Sequence, residues 1–252
     1  MSETSPVSIT LGGNATVLIQ CGDVRVITDP WLSGRIGPWR RCRPPALDAA
    51  QMGLLDAILI SHAHPDHLDT RSLSTLPRAT PILTPGGHPW RRLAAIGLSS
   101  LHEMEEWDSW SARGVRVTAV PSVHTRWSLG YVVEMGGRRT YFAGDAGPRT
   151  PFEEIGKRCG PIDVALVPVG GSSLAIGPFQ RHLTPAAAVR ATAILRPRVV
   201  IPIHWGHVPC FLPALDRFRG TADQFVQAMR LRVPEIPVLC PAEGESAEIP
   251  SG

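Results

Sequence analysis

The chain has 252 residues, a formal charge of +3, and 43% apolar and 19% charged side chains. Those fractions exclude a disordered chain, a coiled coil and a collagen-like repeat, and the length allows a sizeable core. No apolar run approaches the roughly 20 residues that span a bilayer. The polar start, Met1 to Pro6, carries Glu3 and lacks the basic and apolar regions of a secretory signal. A cytoplasmic protein without stable membrane association is the expectation. Lys157 is the single lysine among 25 basic residues. With Ala, Gly and Pro abundant, that bias reads as GC-rich coding, and no nucleic-acid partner is expected. The cysteines at 21, 42, 159, 210 and 240 contain no C-x-x-C. They read as buried structural thiols, not as a disulfide framework or a zinc ribbon.

No linker, repeat or low-complexity segment divides the chain, so residues 1–252 read as one domain. Strands are predicted at Val7–Leu11, Ala15–Gln20 and Val24–Thr28, separated by Gly12-Gly13-Asn14 and Cys21-Gly22-Asp23. Gly and Asn tolerate positive φ, and the flanking runs are rich in β-branched residues. A Pro- and Arg-rich loop follows from Pro30 to about Gly53. The apolar strand Asp56–Ile60 runs into His62, after which His67–Leu76 fits a helix. Further strands are predicted at Pro81–Leu83, Val115–Val120, Tyr131–Glu134, Arg139–Phe142, Val164–Val169, Val199–Ile203 and Val238–Leu239, and helices at Trp90–Ile96, Phe152–Arg158, Pro185–Leu195 and Ala222–Arg230. Thr184 before Pro185 reads as an N-cap, and Thr221 to Gln224 as a capping box. Hairpins first and helices later imply a mixed α/β fold with at least two sheets.

His62, His64, Asp66 and His67 form H-x-H-x-D-H directly after a buried strand. Buried imidazoles each need hydrogen-bond partners, and a buried carboxylate needs positive charge. A divalent cation meets these needs together, and imidazole nitrogen with carboxylate oxygen suits zinc. The loop can aim His62 and His64 at one ion, leaving Asp66 and His67, on the first turn of the next helix, for a neighbouring ion. His124, Asp145 and His204 each follow an apolar strand, where a β scaffold gathers loop side chains into one pocket. Singly, each also reads as a core histidine or a turn aspartate.

This succession resembles the metallo-β-lactamase superfamily, over nearly the whole chain. Asp29-Pro30-Trp31-Leu32-Ser33, the segment from Ile60 to Asp69, Phe142-Ala143-Gly144-Asp145 and Ile203-His204-Trp205-Gly206 look like its branch containing N-acyl-phosphatidylethanolamine phospholipase D and L-ascorbate-6-phosphate lactonase. The resemblance implies a four-layer αββα sandwich with two metals. His62, His64 and His124 would hold one ion, and Asp66, His67 and His204 the other. Asp145 would bridge them, with Asp29 as a supporting aspartate behind the ligands. The cofactor expected is Zn2+, two per chain, with Mn2+ or Fe2+ as alternatives. His182 matches a histidine that the branch places near substrate. The segment then departs from the branch: Pro185-Ala186-Ala187-Ala188 stands where Pro-Glu-Glu-Ala is typical.

The expected reaction is hydrolysis of an ester, lactone or phosphoester bond of a soluble small molecule by a metal-bound hydroxide. Asp66 would orient the water, and His182 would steady developing charge or protonate the leaving group. Arg35, Arg40, Arg41 and Arg43 make an anionic substrate plausible, with Arg40 and Arg41 as the chosen contacts. Trp31, Trp39 and Trp127 compete as an apolar rim. His88, His102 and His207 read as surface or structural. The alternatives are a mono-iron redox enzyme, which would dispense with His67 or His204, and a non-catalytic metal-binding scaffold. Nothing in the sequence decides the oligomeric state.

Overall fold

Turn residues that tolerate positive φ organise the amino-terminal third. Asn14 (φ 55°) and Gly22 (φ 57°) let β1 (Val7–Gly13), β2 (Thr16–Cys21) and β3 (Val24–Thr28) fold as an antiparallel meander. The computed structural model describes residues 6–87, 93–171, 182–208 and 220–249, apart from the side chain of Trp39. The Pro- and Arg-rich stretch expected as loop carries a small hairpin, β4 (Arg35–Ile36) with β5 (Trp39–Arg40), and a one-turn helix, α1 (Ala49–Met52). Next come β6 (Ala57–Leu59), the short helix α2 (Thr70–Leu73), β7 (Ile82–Pro85) and β8 (Leu101–Met104). Strand β6 pairs in parallel with both β3 and β7, and β7 pairs in parallel with β8.

The second sheet repeats this plan. A meander of β9 (Ser109–Ala112), β10 (Val115–Pro121), β11 (Leu129–Met135) and β12 (Arg138–Phe142) is followed by helix α3 (Phe152–Cys159) and β13 (Val164–Pro168). Helix α4 (Pro185–Leu195), β14 (Val199–Ile203) and helix α5 (Ala222–Arg232) complete it. Strands β12, β13 and β14 pair in parallel. Finally β15 (Ser246–Glu248) returns to β1. The strand orders are β15-β1-β2-β3-β6-β7-β8 and β14-β13-β12-β11-β10-β9.

Three apolar clusters separate the layers. Val17, Ile19, Leu59, Val117, Phe142 and Leu166 fill the space between the sheets. Phe152, Ile155, Val189, Leu195, Phe225 and Met229 seat α3, α4 and α5 on the outer face of the second sheet. Ile27, Ile58, Ile60, Leu68 and Leu73 cover the outer face of the first. The strands buried on both faces, such as β13 and β14, carry unbroken apolar runs for that reason. The result is the αββα sandwich.

Several expectations need correction. The helix expected over His67–Leu76 is only α2, because Asp69 caps it by accepting from Arg71 N and so starts it late. Asp66 and His67 lie on the preceding turn, closed by His67 N and Leu68 N donating to His64 O at 3.0 and 2.8 Å. Val238 makes an isolated bridge to Val200, not a strand. Strands β8, β9 and β15 were not foreseen. The start of the helix expected at Trp90–Ile96 lies outside the described residues, as do His88, Cys210 and 172–181. Cys42 and Cys240 are exposed, and Cys21 and Cys159 half-buried, so the described thiols are not core residues. No helix among the described residues is long and apolar enough to cross a membrane.

Strand direction positions everything that follows. Through the pairings above, β1, β3 and β6 run one way in the first sheet, and β10, β12, β13 and β14 share a direction in the second. Backbone hydrogen bonds join the loops beyond these carboxyl ends. Leu129 N donates to Ser61 O at 3.0 Å, and His204 N donates to Asn14 O at 2.8 Å. One rim of the sandwich therefore carries every loop in which a histidine or aspartate was singled out at a strand end.

Candidate metal centre

Two groups of donors face one another on this rim. His62, His64, His124 and Asp145 bring one ligand atom each within 4.8 Å of one another, and Asp66, His67 and His204 do the same. Asp145 stands between the groups. Its Oδ2 lies 3.7 Å from both His62 Nε2 and His124 Nε2, 3.3 Å from His67 Nε2 and 3.1 Å from His182 Nε2. Its Oδ1 lies 3.1 Å from His204 Nε2, although out of line for a hydrogen bond. In the second group, Asp66 Oδ2 lies 3.4 Å from both His67 Nε2 and His204 Nε2.

These contacts test whether the residues suit a cation. Zinc with bonds of about 2.0–2.1 Å has tetrahedral edges of about 3.3 Å. His124 Nε2 and His64 Nδ1 are 3.3 Å apart, and His67 Nε2 and His204 Nε2 are 3.2 Å apart. Buried His62 Nε2 and Asp145 Oδ1 have no hydrogen-bond partner among the described residues. Lone pairs aimed at a common point and buried without partners are costly unless something positive sits there. The donor set fits divalent cations.

The electrostatics agree. Burial, compounded by the His67 charge, pushes His62 well below the usual imidazole range, and His64 moves the same way. Both are therefore neutral, as ligands must be. Burial opposes ionisation of Asp145 and Asp66, but His204 and His67 beside Asp145, and chiefly His67 beside Asp66, hold both carboxyls well below the usual range. Burial likewise works against charge on His67 and His204. The carboxylates of Asp145, Asp66 and Asp29 override it at His67, and those of Asp145 and Asp66 at His204, so both rise. Protons on His67 and His204 thus balance Asp66 and Asp145, and a cation at the same point would take their place.

Behind the donors, His67 Nδ1 donates to Asp29 Oδ2 at 2.6 Å, so its Nε2 faces the centre. Ser61 holds that carboxylate from N to Oδ1 at 2.7 Å and from Oγ to Oδ2 at 2.6 Å. Burial nevertheless dominates at Asp29 and raises its pKa, against His67 and Ser61. Asp29 (φ 35°), Asn14 (φ 55°) and His204 (φ 57°) adopt left-handed backbone, which non-glycine residues visit at a cost and which gathers at functional sites. Gly144 (φ 55°) precedes Asp145 because a Cβ there would come 2.7 Å from Ser61 Cβ.

Not every candidate faces the centre. Arg41 is buried, stacks over Trp31 at 4.1 Å, and donates to Trp31 O at 2.6 Å and to His207 Nδ1 at 3.0 Å. Burial pulls this guanidinium down to about 10, which leaves it charged. Nη1 and Nη2 bond within the fold and Nε is buried, so Arg41 is not the surface contact for substrate that was expected. Trp31 is fully buried and cannot form a rim. Arg40 is exposed on β5. Trp127 is 45% exposed and carries Arg126 over its ring, and with exposed Val123 it flanks His124. Sequence reasoning missed three supports. Asn14 was read as a turn residue, yet its amide donates to Asp66 Oδ2 at 3.1 Å. Ser61 and the Arg41–His207–Glu243 chain, with His207 Nε2 2.7 Å from Glu243 Oε1, carried no sequence signal of their own.

Comparison with known proteins adds a lineage. Residues 24–205 match the family described as the beta-lactamase superfamily domain. Over 245 residues the chain is 30% identical to an N-acyl-phosphatidylethanolamine-hydrolyzing phospholipase D 1 from Caenorhabditis elegans, covering 84% of this chain and 68% of that protein. It is 28% identical to a UPF0173 metal-dependent hydrolase from Thermococcus onnurineus, covering 85% of this chain and 92% of that one. An uncharacterized Mycobacterium tuberculosis protein is 30% identical over 81% of this chain, which spans only 60% of its length. Among solved structures, Igni18, a metallo hydrolase from Ignicoccus hospitalis, superposes with a TM-score of 0.74 at 20% identity, covering 98% of this chain and 100% of that one.

Proposed function

The chain belongs to the beta-lactamase superfamily, among its metal-dependent hydrolases, and from that premise we propose that it hydrolyses an ester, lactone or phosphoester bond of a small molecule at a two-cation centre. The observation that carries this reading is the position of Asp145, within 3.7 Å of His62 and His124 on one side and 3.3 Å of His67 on the other. One carboxylate between two donor groups offsets the repulsion of cations held about 3.5–4 Å apart. In this reading His62, His64 and His124 hold one ion, and Asp66, His67 and His204 the other. Zinc is the ion we favour, since imidazole and carboxylate are its borderline ligands, with manganese or iron as alternatives. When bound, such ions bring the pKa of water toward about 7 and polarise a carbonyl or phosphoryl oxygen.

The chain's own residues do the rest. Asp66 offers a carboxylate oxygen that orients water as an acceptor. His182 has one nitrogen 3.1 Å from Asp145 Oδ2 and a buried Nδ1 with no described partner, which suits proton delivery to a leaving group. Asp29 keeps the Nδ1 proton of His67 in place, so that Nε2 is the nitrogen it would offer to a cation. Arg40 remains a candidate anion contact, and Trp127 with Val123 a candidate apolar contact. The nematode relative is named for hydrolysing a phosphodiester that bears acyl chains, and a phosphodiester with an apolar group suits both contacts. The mono-iron reading would dispense with His67 or His204, yet both belong to the second donor group.

The test is turnover of a nitrophenyl phosphodiester, a nitrophenyl ester and a simple lactone by the purified chain. We expect at least one class to be hydrolysed, the rate to vanish with a chelator and return with Zn2+, and Asp145→Ala to lower kcat/KM at least roughly 100-fold. Chelator-insensitive turnover, or an Asp145→Ala variant as active as the wild type, would overturn the reading.

A further inference from the structure

Asn14 touches both loops that complete the second donor group. Its side-chain amide donates to Asp66 Oδ2 at 3.1 Å and approaches Asp66 O at 3.4 Å. Its own carbonyl accepts from His204 N at 2.8 Å. The residue is buried and holds φ at 55°. A carboxylate oxygen has two lone-pair directions. With one taken by the Asn14 N–H, the other is left toward His67 Nε2 and His204 Nε2, each 3.4 Å from the same oxygen. Meanwhile the carbonyl contact pins the backbone of His204, itself in the left-handed region at φ 57°.

The turn that presents Asn14 is braced from behind. At Gly13, with φ 94°, an added Cβ would come 2.6 Å from His207 Cε1 and 2.9 Å from Arg41 Nη2. Arg41, His207 and Glu243 form a hydrogen-bonded chain against that glycine.

We propose that Asn14 is a positioning residue that sets the geometry of the second cation subsite, orienting Asp66 through its amide and His204 through its carbonyl. This rests on the two-cation reading and gives the second group two supports, Asp29 on His67 and Asn14 on Asp66 and His204. Asn14 loses donation in Asn14→Asp, which keeps shape and tolerance of positive φ but faces Asp66 with an acceptor. Asn14→Gly keeps the backbone conformation and the contact to His204 while deleting the amide.

Zinc content and competition with a chromogenic chelator, followed by the absorption spectrum of the cobalt-loaded protein, test this without reference to turnover. The wild type should bind two ions. Both variants should keep the tighter or first-group ion, weaken the other roughly 10–100-fold, as lost supporting contacts to ligands do, and alter only the cobalt bands lost with that ion. A wild type that binds a single ion would sink the two-cation reading itself. A wild type with two ions and either folded variant within twofold of it at both subsites would overturn the role of Asn14, as would equal weakening of both subsites. Circular dichroism identifies a variant that fails to fold, and the other variant then decides.

Discussion

Asp29 and Gly144 show how much of this centre depends on residues that offer it no donor. Asp29 is wholly buried against His67 and Ser61. Asp29→Asn keeps its shape but loses the charged acceptor, so we predict cation affinity about 10–100-fold weaker, read by chelator competition. Gly144 combines φ 55° with a 2.7 Å approach to Ser61. Gly144→Ala should cost at least about 1–3 kcal/mol in urea unfolding. Glu243 offers a pH test away from the centre. Burial works against its charge, but His207, Arg43 and Arg41 outweigh it and hold the carboxyl below the usual range. A depressed folded pKa contributes stability above the unfolded value, lost as pH falls through the folded one. Glu243→Gln should therefore destabilise the protein by about 1–3 kcal/mol at pH 7, a gap that closes below about pH 4. The histidines and aspartates were legible because three imidazoles and a carboxylate in six positions have few other uses. Asn14 was not, because Gly-Gly-Asn is sufficient turn chemistry by itself.

At the scale of elements, strand ends and helix caps decide what reaches the rim. Thr184 Oγ1 accepts from Ala187 N at 3.3 Å, and Pro185 occupies the first turn, so α4 begins directly after that cap and close behind His182. Thr184→Ala should lower stability by about 1 kcal/mol in a urea melt. The capping box at Thr221 and Gln224 formed as its spacing predicts. Boundaries of the long apolar strands were legible within a few residues, since continuous burial leaves an unbroken apolar run. Strands β8, β9 and β15 were not. They run over only three or four mostly exposed or half-buried residues, and β8 and β15 take their partners, β7 and β1, from farther along the chain. The helix after the H-x-H-x-D-H segment was overextended for a related reason. Its apolar spacing continues past α2 because Leu73 and Leu76 pack beneath the first sheet whether or not the backbone is helical.

For the whole molecule, the sandwich converts parallel strand direction into a shared rim. Donors from position 62 to position 204 meet there because each half ends its meander in parallel strands whose carboxyl ends face the same way. The sequence could show each donor at a strand end; only the pairing order shows that the ends coincide. In the proposed reading, cations at this rim would link both sheets, so a chelator should lower stability by about 2.7 kcal/mol for an ion held at about 100 times its dissociation constant, read as a lower unfolding temperature. The central claim is that two donor groups sharing Asp145 each hold an ion. Elemental analysis of the wild type beside Asp145→Ala and His204→Ala measures it directly. Two ions per wild-type chain, one in His204→Ala and fewer than two in Asp145→Ala are predicted; a full complement of two in both variants would contradict it.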